Sequence, residues 1–98
     1  MNNISIENFV KIKDKAQIID IREAYEYDTG NIKNSIHIPM SEILQSIDKI
    51  DNTKELIIYC QTGRRAAAVV YMLTRNYGIK NAYNLKGGFS AYQEKKIT

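Results

Sequence analysis

The one cysteine of the chain stands between an apolar run and a short loop rich in polar and basic residues. The segment 56–68 reads LIIYCQTGRRAAA, in which Cys60 is followed by Gly63 and two consecutive arginines, Arg64 and Arg65. A glycine lets such a loop curl, so that successive backbone N–H groups point inward and bind an anion. Inward N–H groups, a helix N-terminus and arginine side chains all favour a thiolate over a thiol. The spacing therefore predicts that Cys60 is a nucleophile.

A cysteine at the end of a strand is more often a small buried hydrophobic residue than a nucleophile. The residues after Cys60 favour the second interpretation, because a glycine and two arginines are poor neighbours for a core position. His37 is the only histidine and lies between two isoleucines, which favours a structural role over that of a base. One cysteine and one histidine cannot form a His/Cys metal site of the usual composition. We therefore expect no metal and no cofactor.

The nucleophile needs a buried strand before it and a helix after it, and the chain is rich in both kinds of element. Isoleucine-rich runs predict strands over 17–21, 35–38 and 55–60, with weaker candidates at Ile4 and over 82–84. Their nearly continuous hydrophobicity is typical of strands that are covered on both faces in a parallel sheet.

Helices are predicted between these strands. Ser41 is expected to cap a helix whose apolar face carries Ile43, Leu44, Ile47 and Ile50. A longer helix over 64–77 has an apolar face of Ala66, Val69, Val70, Leu73 and Tyr77, and Gly78 suits the left-handed residue that ends it. Shorter helices are expected near 6–12, 23–28 and 89–95. The alternation predicts an α/β fold with helices on both faces of a mostly parallel sheet.

Length and composition limit the classes of protein to consider. The 98 residues, 44% of them hydrophobic and 26% charged, predict one domain over residues 1–98. A net charge of +3 mildly favours anionic ligands and lacks the dense basic patch of a nucleic-acid binder. No apolar run approaches the ~20 residues of a membrane-spanning helix, and the first residues are too polar for a secretory leader. We expect a cytoplasmic protein that binds neither nucleic acid nor a membrane.

Four motifs of the chain, taken in order, resemble those of the rhodanese homology domain. They are IDIRE over 19–23, GNIKNSIHIP over 30–39, CQTGRR over 60–65 and LKGGFSAY over 85–92. The resemblance covers almost the whole chain. It implies a central five-stranded, mostly parallel sheet with helices on both faces.

The resemblance also implies a sulfurtransferase that carries sulfane sulfur as a persulfide on Cys60. In that reaction the thiolate attacks the outer sulfur of a donor such as thiosulfate, and an acceptor then takes the sulfur. The expected partners are a small anionic sulfur donor, a thiol or cyanide acceptor, and a sulfur-relay protein. The loop expected to hold the persulfide consists of Gln61, Thr62, Gly63, Arg64 and Arg65.

Asp20 and Arg22 match the early Asp-x-Arg of the family and are expected to support the loop. Asp20 is predicted to accept a hydrogen bond or ion pair from the region of Arg64 and Arg65; the alternative is an ordinary strand-end charge in water. The sequence leaves open which of the two arginines faces the substrate.

Two other functions remain as alternatives. The first is a persulfide carrier or interaction module that serves a partner protein. The second is a cysteine-dependent phosphatase or arsenate reductase, whose related sites place five residues between the cysteine and the arginine. Here four residues separate Cys60 from Arg65, and the tighter loop better suits a single sulfur atom than a phosphoryl group.

Overall fold

Five short strands form one parallel sheet in the computed structural model, which describes residues 2–95. In spatial order the strands are β1 (Asn3–Ile4), β5 (Ala82–Leu85), β4 (Leu56–Tyr59), β2 (Gln17–Asp20) and β3 (Ile36–His37). Every neighbouring pair is parallel. The predicted five-stranded sheet is therefore confirmed, and β4 is its central strand. Residues 1 and 96–98 of the predicted domain lie outside the described residues.

Helices cover both faces of the sheet, as predicted. Helices α1 (Ile6–Ile12) and α4 (Gly88–Glu94) lie on one face, and α3 (Arg64–Tyr77) lies on the other. Alternate residues of β4 point to opposite faces: Ile57 and Tyr59 pack with α1 and α4, whereas Leu56 and Ile58 pack with α3. All four are fully buried, which explains the continuous apolar run that precedes Cys60.

The segment Met40–Lys49 differs from its prediction, because it is a 3-10 helix and not an α-helix capped by Ser41. Pro39 occupies the residue before the helix, and no side chain caps it. The backbone leaves the helical region at Ser46, where φ is −115° and ψ is 16°. Sequence periodicity does not distinguish a kinked 3-10 segment from a short α-helix, since both bury one apolar stripe.

The tighter helix also changes which side chains face the core. With three residues per turn, Ile43 and Ser46 fall on one line, and both are buried. Leu44 was predicted on the apolar face but is 39% exposed. Ile47 packs against the core from its rim, and Ile50 is buried as predicted.

The other elements lie close to their predicted bounds. Helix α3 ends at Gly78, whose φ of 66° is the left-handed value that the sequence predicted. Tyr77, expected on the apolar face, is 48% exposed because it is the last residue of that helix. The remaining helix, α2 (Ala24–Asp28), has no buried residue. None of the helices within residues 2–95 has the length and apolar character needed to cross a membrane.

Candidate active site

Cys60 is the first residue after β4, and the loop that follows encloses its sulfur. The residue is 1% exposed. The N–H of Gly63 donates to Sγ at 3.1 Å, and the N–H of Ala66 donates at 3.3 Å. Gly63 has a φ of 98°, a left-handed conformation that glycine adopts without strain. The turn at Gly63 thus brings backbone donors from the loop and from the first turn of α3 onto one sulfur atom.

Further donors of the same loop remain available. Among residues 2–95, the N–H groups of Thr62, Arg64 and Arg65 donate to no protein acceptor. The first N–H groups of a helix have no partner inside the helix and carry its positive dipole end. The Cys60 loop, residues 60–65, therefore offers donors for negative charge on Sγ and for a second atom bonded to it.

Helix α4 holds the Cys60 loop through the backbone. The N–H of Phe89 donates to the Cys60 carbonyl at 2.8 Å, and the N–H of Ser90 donates to the Gln61 carbonyl at 3.0 Å. Gly88 permits this contact, because a Cβ at that position would lie 2.5 Å from the Cys60 carbonyl oxygen. The glycine at the first position of α4 is therefore required for close packing against the backbone of the nucleophile.

Arg22 is buried beside the loop, with 1% of its surface exposed. Its Nη2 donates to Asp20 Oδ2 at 2.8 Å and to the Gly30 carbonyl at 2.6 Å, and its Nη1 donates to Gln61 Oε1 at 3.0 Å. The guanidinium carbon lies 4.4 Å from the centre of the Phe89 ring. Burial alone would lower the pKa of Arg22, but the hydrogen bonds and charge of Asp20 raise it. Arg22 therefore stays charged and joins four parts of the chain.

The predicted contact between Asp20 and the loop arginines is wrong. Asp20 is fully buried and binds Arg22, with which it shares an ion pair of 2.8 Å. Both residues act on the loop through Gln61 instead, since Arg22 is the residue that contacts it. Arg22 is only two residues from Asp20 and reaches it directly. Arg64 and Arg65 instead follow the neighbouring strand of the sheet, β4.

Arg65 has a partner that the sequence did not indicate. Its two terminal nitrogens donate to the two carboxylate oxygens of Glu26 at 3.0 Å each. This pairing lowers the pKa of Glu26 and raises that of Arg65. Glu26 lies on α2, 39 positions earlier in the chain, so only the fold brings the two together. The sole local signal is its place in the first turn of a helix, three residues after Glu23.

The two loop arginines are therefore not equivalent. Arg65 lines a cleft of about 330 Å³ together with Ile21, Glu23, Met40 and Ser41. Arg64 is exposed to solvent. Both arginines were expected to favour a thiolate at Cys60, and this expectation needs correction because Glu26 matches the charge of Arg65.

Tyr59 and His37 make polar contacts that hold the second motif and the strand before Cys60 together. The N–H of Ile32 donates to the Tyr59 hydroxyl at 3.0 Å, and that hydroxyl lies 3.2 Å from Ser35 Oγ. Burial raises the pKa of Tyr59, so its hydroxyl stays protonated. His37 donates from Nε2 to the Arg22 carbonyl at 2.7 Å and stacks on Tyr27. This position agrees with the structural role predicted for His37.

Comparison with known proteins decides the family. The family model of the rhodanese-like domain matches residues 5–95. The chain belongs to the rhodanese-like domain family. This family is related to sulfur transfer, and the five-stranded sheet found above is its fold.

Individual relatives agree with this assignment. The chain is 36% identical over 95 residues to YqhL, an uncharacterized protein of Bacillus subtilis (strain 168), with 97% of this chain and 75% of that protein covered. It is 36% identical over 89 residues to the tRNA uridine(34) hydroxylase of Hamiltonella defensa, of which it spans 24%, with 83% of this chain covered. The structure of a rhodanese-related protein from Thermoplasma volcanium superposes with a TM-score of 0.91 at 26% identity, covering 100% of this chain and 96% of that one.

All four motifs of the rhodanese-like domain meet at the carboxyl end of β4. The first supplies Asp20 and Arg22, the second supplies the Gly30 carbonyl, the third is the Cys60 loop, and the fourth is the start of α4. Ligands of open α/β sheets bind at this edge. Residues from all four sequence motifs therefore form one site.

The close approach at Gly88 gives a paired prediction. We expect Gly88→Ala to lower the free energy of unfolding by about 3–5 kcal/mol, because backbone overlap with Cys60 and Gln61 adds to left-handed strain. Gly78→Ala has nearly the same φ but nothing within 4 Å of the new Cβ, so it should cost only about 1–2 kcal/mol. Urea unfolding of both variants measures the difference, and equal losses would show that the contact with the loop is unimportant.

The buried ion pair gives a second prediction. Asp20→Asn should destabilise the protein by about 3–5 kcal/mol, because an amide donor would face the uncompensated guanidinium of Arg22. Asp48→Asn, which changes an exposed carboxylate, should change stability by less than about 0.5 kcal/mol. Chemical denaturation at neutral pH compares the two. A loss below about 1 kcal/mol for Asp20→Asn would contradict the account of Arg22.

Proposed function

We propose that this rhodanese-like domain transfers sulfane sulfur from a donor to a thiophilic acceptor through a persulfide on Cys60. The observation that carries the proposal is the set of backbone donors around one sulfur atom: two N–H groups bind Sγ, and the same loop offers further N–H groups to a second atom. Such an arrangement stabilises an anion on a thiolate and on its sulfur adduct without an additional base.

The first half-reaction loads the cysteine. The Cys60 thiolate attacks the outer sulfur of a donor such as thiosulfate, a new S–S bond forms, and the bond inside the donor breaks. Sulfite leaves with the electron pair of that bond. The negative charge now rests on the outer sulfur of the persulfide, within reach of the donors of the Cys60 loop.

The second half-reaction returns the cysteine to its thiolate. A cyanide ion or an acceptor thiolate attacks the outer sulfur, and the S–S bond to Cys60 breaks. The products are thiocyanate or an acceptor persulfide. Neither half-reaction needs an oxidant, a reductant, a metal ion or a cofactor.

Arg22 and Asp20 act as positioning residues in this proposal. Arg22 fixes the side chain of Gln61 and, through the Phe89 ring, the start of α4. The backbone of the loop is thereby held in shape while the sulfur atom arrives and leaves. Preorganised donors of this kind stabilise developing charge without reorganisation.

A persulfide carrier that serves a partner protein is a second form of the same proposal. It shares the loaded cysteine and differs only in the acceptor, which would be a cysteine of a sulfur-relay protein. The cleft that Arg65 of the loop lines is the place where we expect such an acceptor to approach. A reducing compartment such as the cytoplasm suits both forms, since it keeps the single cysteine as a thiol.

Mass spectrometry of the intact protein tests the proposal. After brief exposure to excess thiosulfate, the reduced protein should gain one sulfur atom, and cyanide should remove it. Cys60→Ser is the matched control and should gain none, because it replaces the sulfur nucleophile with a hydroxyl. A gain that persists in Cys60→Ser, or no gain with thiosulfate or any persulfide donor, would contradict the proposal.

A further inference from the structure

The Cys60 loop is less positive than its two consecutive arginines suggest. Both terminal nitrogens of Arg65 bind the carboxylate of Glu26 at 3.0 Å. A second carboxylate, that of Glu23, lines the cleft that Arg65 also lines. Two carboxylates therefore accompany the guanidinium of Arg65, one bound to it and one in the cleft that it lines.

Glu26 is held firmly in this position. Its Oε1 also accepts the N–H of Glu23 at 2.9 Å, and its side chain is 16% exposed. A small anionic donor that approached Arg65 would have to share the guanidinium with a carboxylate that is already bound. The charge of Arg22 is likewise matched, by Asp20.

The charge of the donor decides how strongly Glu26 opposes it. Attack of the Cys60 thiolate on thiosulfate brings three negative charges together, whereas attack on an organic persulfide anion brings two. Coulomb energy is proportional to the charge of the donor, so Glu26 disfavours a dianion about twice as strongly as a monoanion. The apolar side chains of Ile21 and Met40 in the cleft suit the carbon chain of an organic donor.

We propose that Glu26 is a specificity-determining positioning residue, which acts through Arg65 to favour monoanionic organic persulfides over the thiosulfate dianion. This inference rests on the proposed sulfur transfer. The thiolate of Cys60 attacks the terminal sulfur of R–S–S⁻, the bond between the two donor sulfurs breaks, and R–S⁻ leaves with its electron pair. Two negative charges enter the step and two leave it, and no proton is transferred.

Glu26→Gln tests the inference, because glutamine keeps the shape of the side chain and removes its charge. Asp28→Asn is the matched control: it makes the same charge change on the same helix at an exposed position, and residues two apart on a helix do not share a face. Single-turnover loading of Cys60 is measured by intact mass with two donors, thiosulfate and 2-hydroxyethyl persulfide. Each donor is used at low and at high ionic strength.

The expected results differ between the donors. Glu26→Gln should raise the second-order loading rate about tenfold with thiosulfate and about threefold with the persulfide, and salt should reduce both gains. Asp28→Asn should change either rate less than twofold. Glu23→Gln, which removes the carboxylate that lines the cleft, should shift the donor ratio in the same direction by a smaller factor.

Three outcomes would overturn the inference. Equal changes with both donors would assign Glu26 a purely structural role, and an unchanged or lower thiosulfate rate would show that its charge does not oppose the dianion. In both cases Cys60 would still load, so the proposed function would stand. If neither donor loads the unmodified protein, the proposed function fails and this inference fails with it.

Discussion

The burial of one arginine is the constraint on which the rest of the site depends. A guanidinium removed from water must have nearly all of its donors engaged, or its desolvation would outweigh the stability of a small domain. Arg22 meets this requirement with groups from four separate parts of the chain: Asp20, Gly30, Gln61 and the face of Phe89. Each part is therefore fixed relative to the others by the same charge.

The position of the nucleophile follows from that constraint and from the sheet. Strand β4 is buried on both faces, so its end is a rigid point from which the Cys60 loop begins. Arg22 holds the loop from one side through Gln61, and α4 holds it from the other through two backbone hydrogen bonds. The loop has little freedom left, and its N–H groups converge on Sγ without having to reorganise.

Local sequence predicted the parts of the fold that depend on local physics. Isoleucine-rich runs predicted three of the strands, and the glycine after Tyr77 predicted the end of α3, because burial and backbone conformation are properties of a few adjacent residues. The 3-10 segment was mistaken for an α-helix because the two kinds of helix differ by less than one residue per turn. A single short apolar stripe does not reveal so small a difference. Asn3–Ile4 is so short that only its pairing with β5 makes it a strand.

The site was predictable in its nucleophile and loop but not in its charge pairs. Cys60 and Gly63 are adjacent in sequence, so their geometry could be argued from spacing. The pairing of Arg65 with Glu26 spans 39 positions and depends on where α2 is placed over the sheet edge. Asp20 was assigned the wrong arginine for the same reason, since the choice between Arg22 and the loop arginines is made by tertiary structure.

Nuclear magnetic resonance of the loop amides tests whether backbone N–H groups hold the transferred sulfur. Spectra of ¹⁵N-labelled protein are compared before and after Cys60 is loaded with one sulfur atom. We expect downfield shifts of the amide protons of Thr62, Arg64 and Arg65, which have no protein acceptor among residues 2–95 before loading. If these amide signals do not move in the loaded protein, the backbone N–H groups do not hold the transferred sulfur.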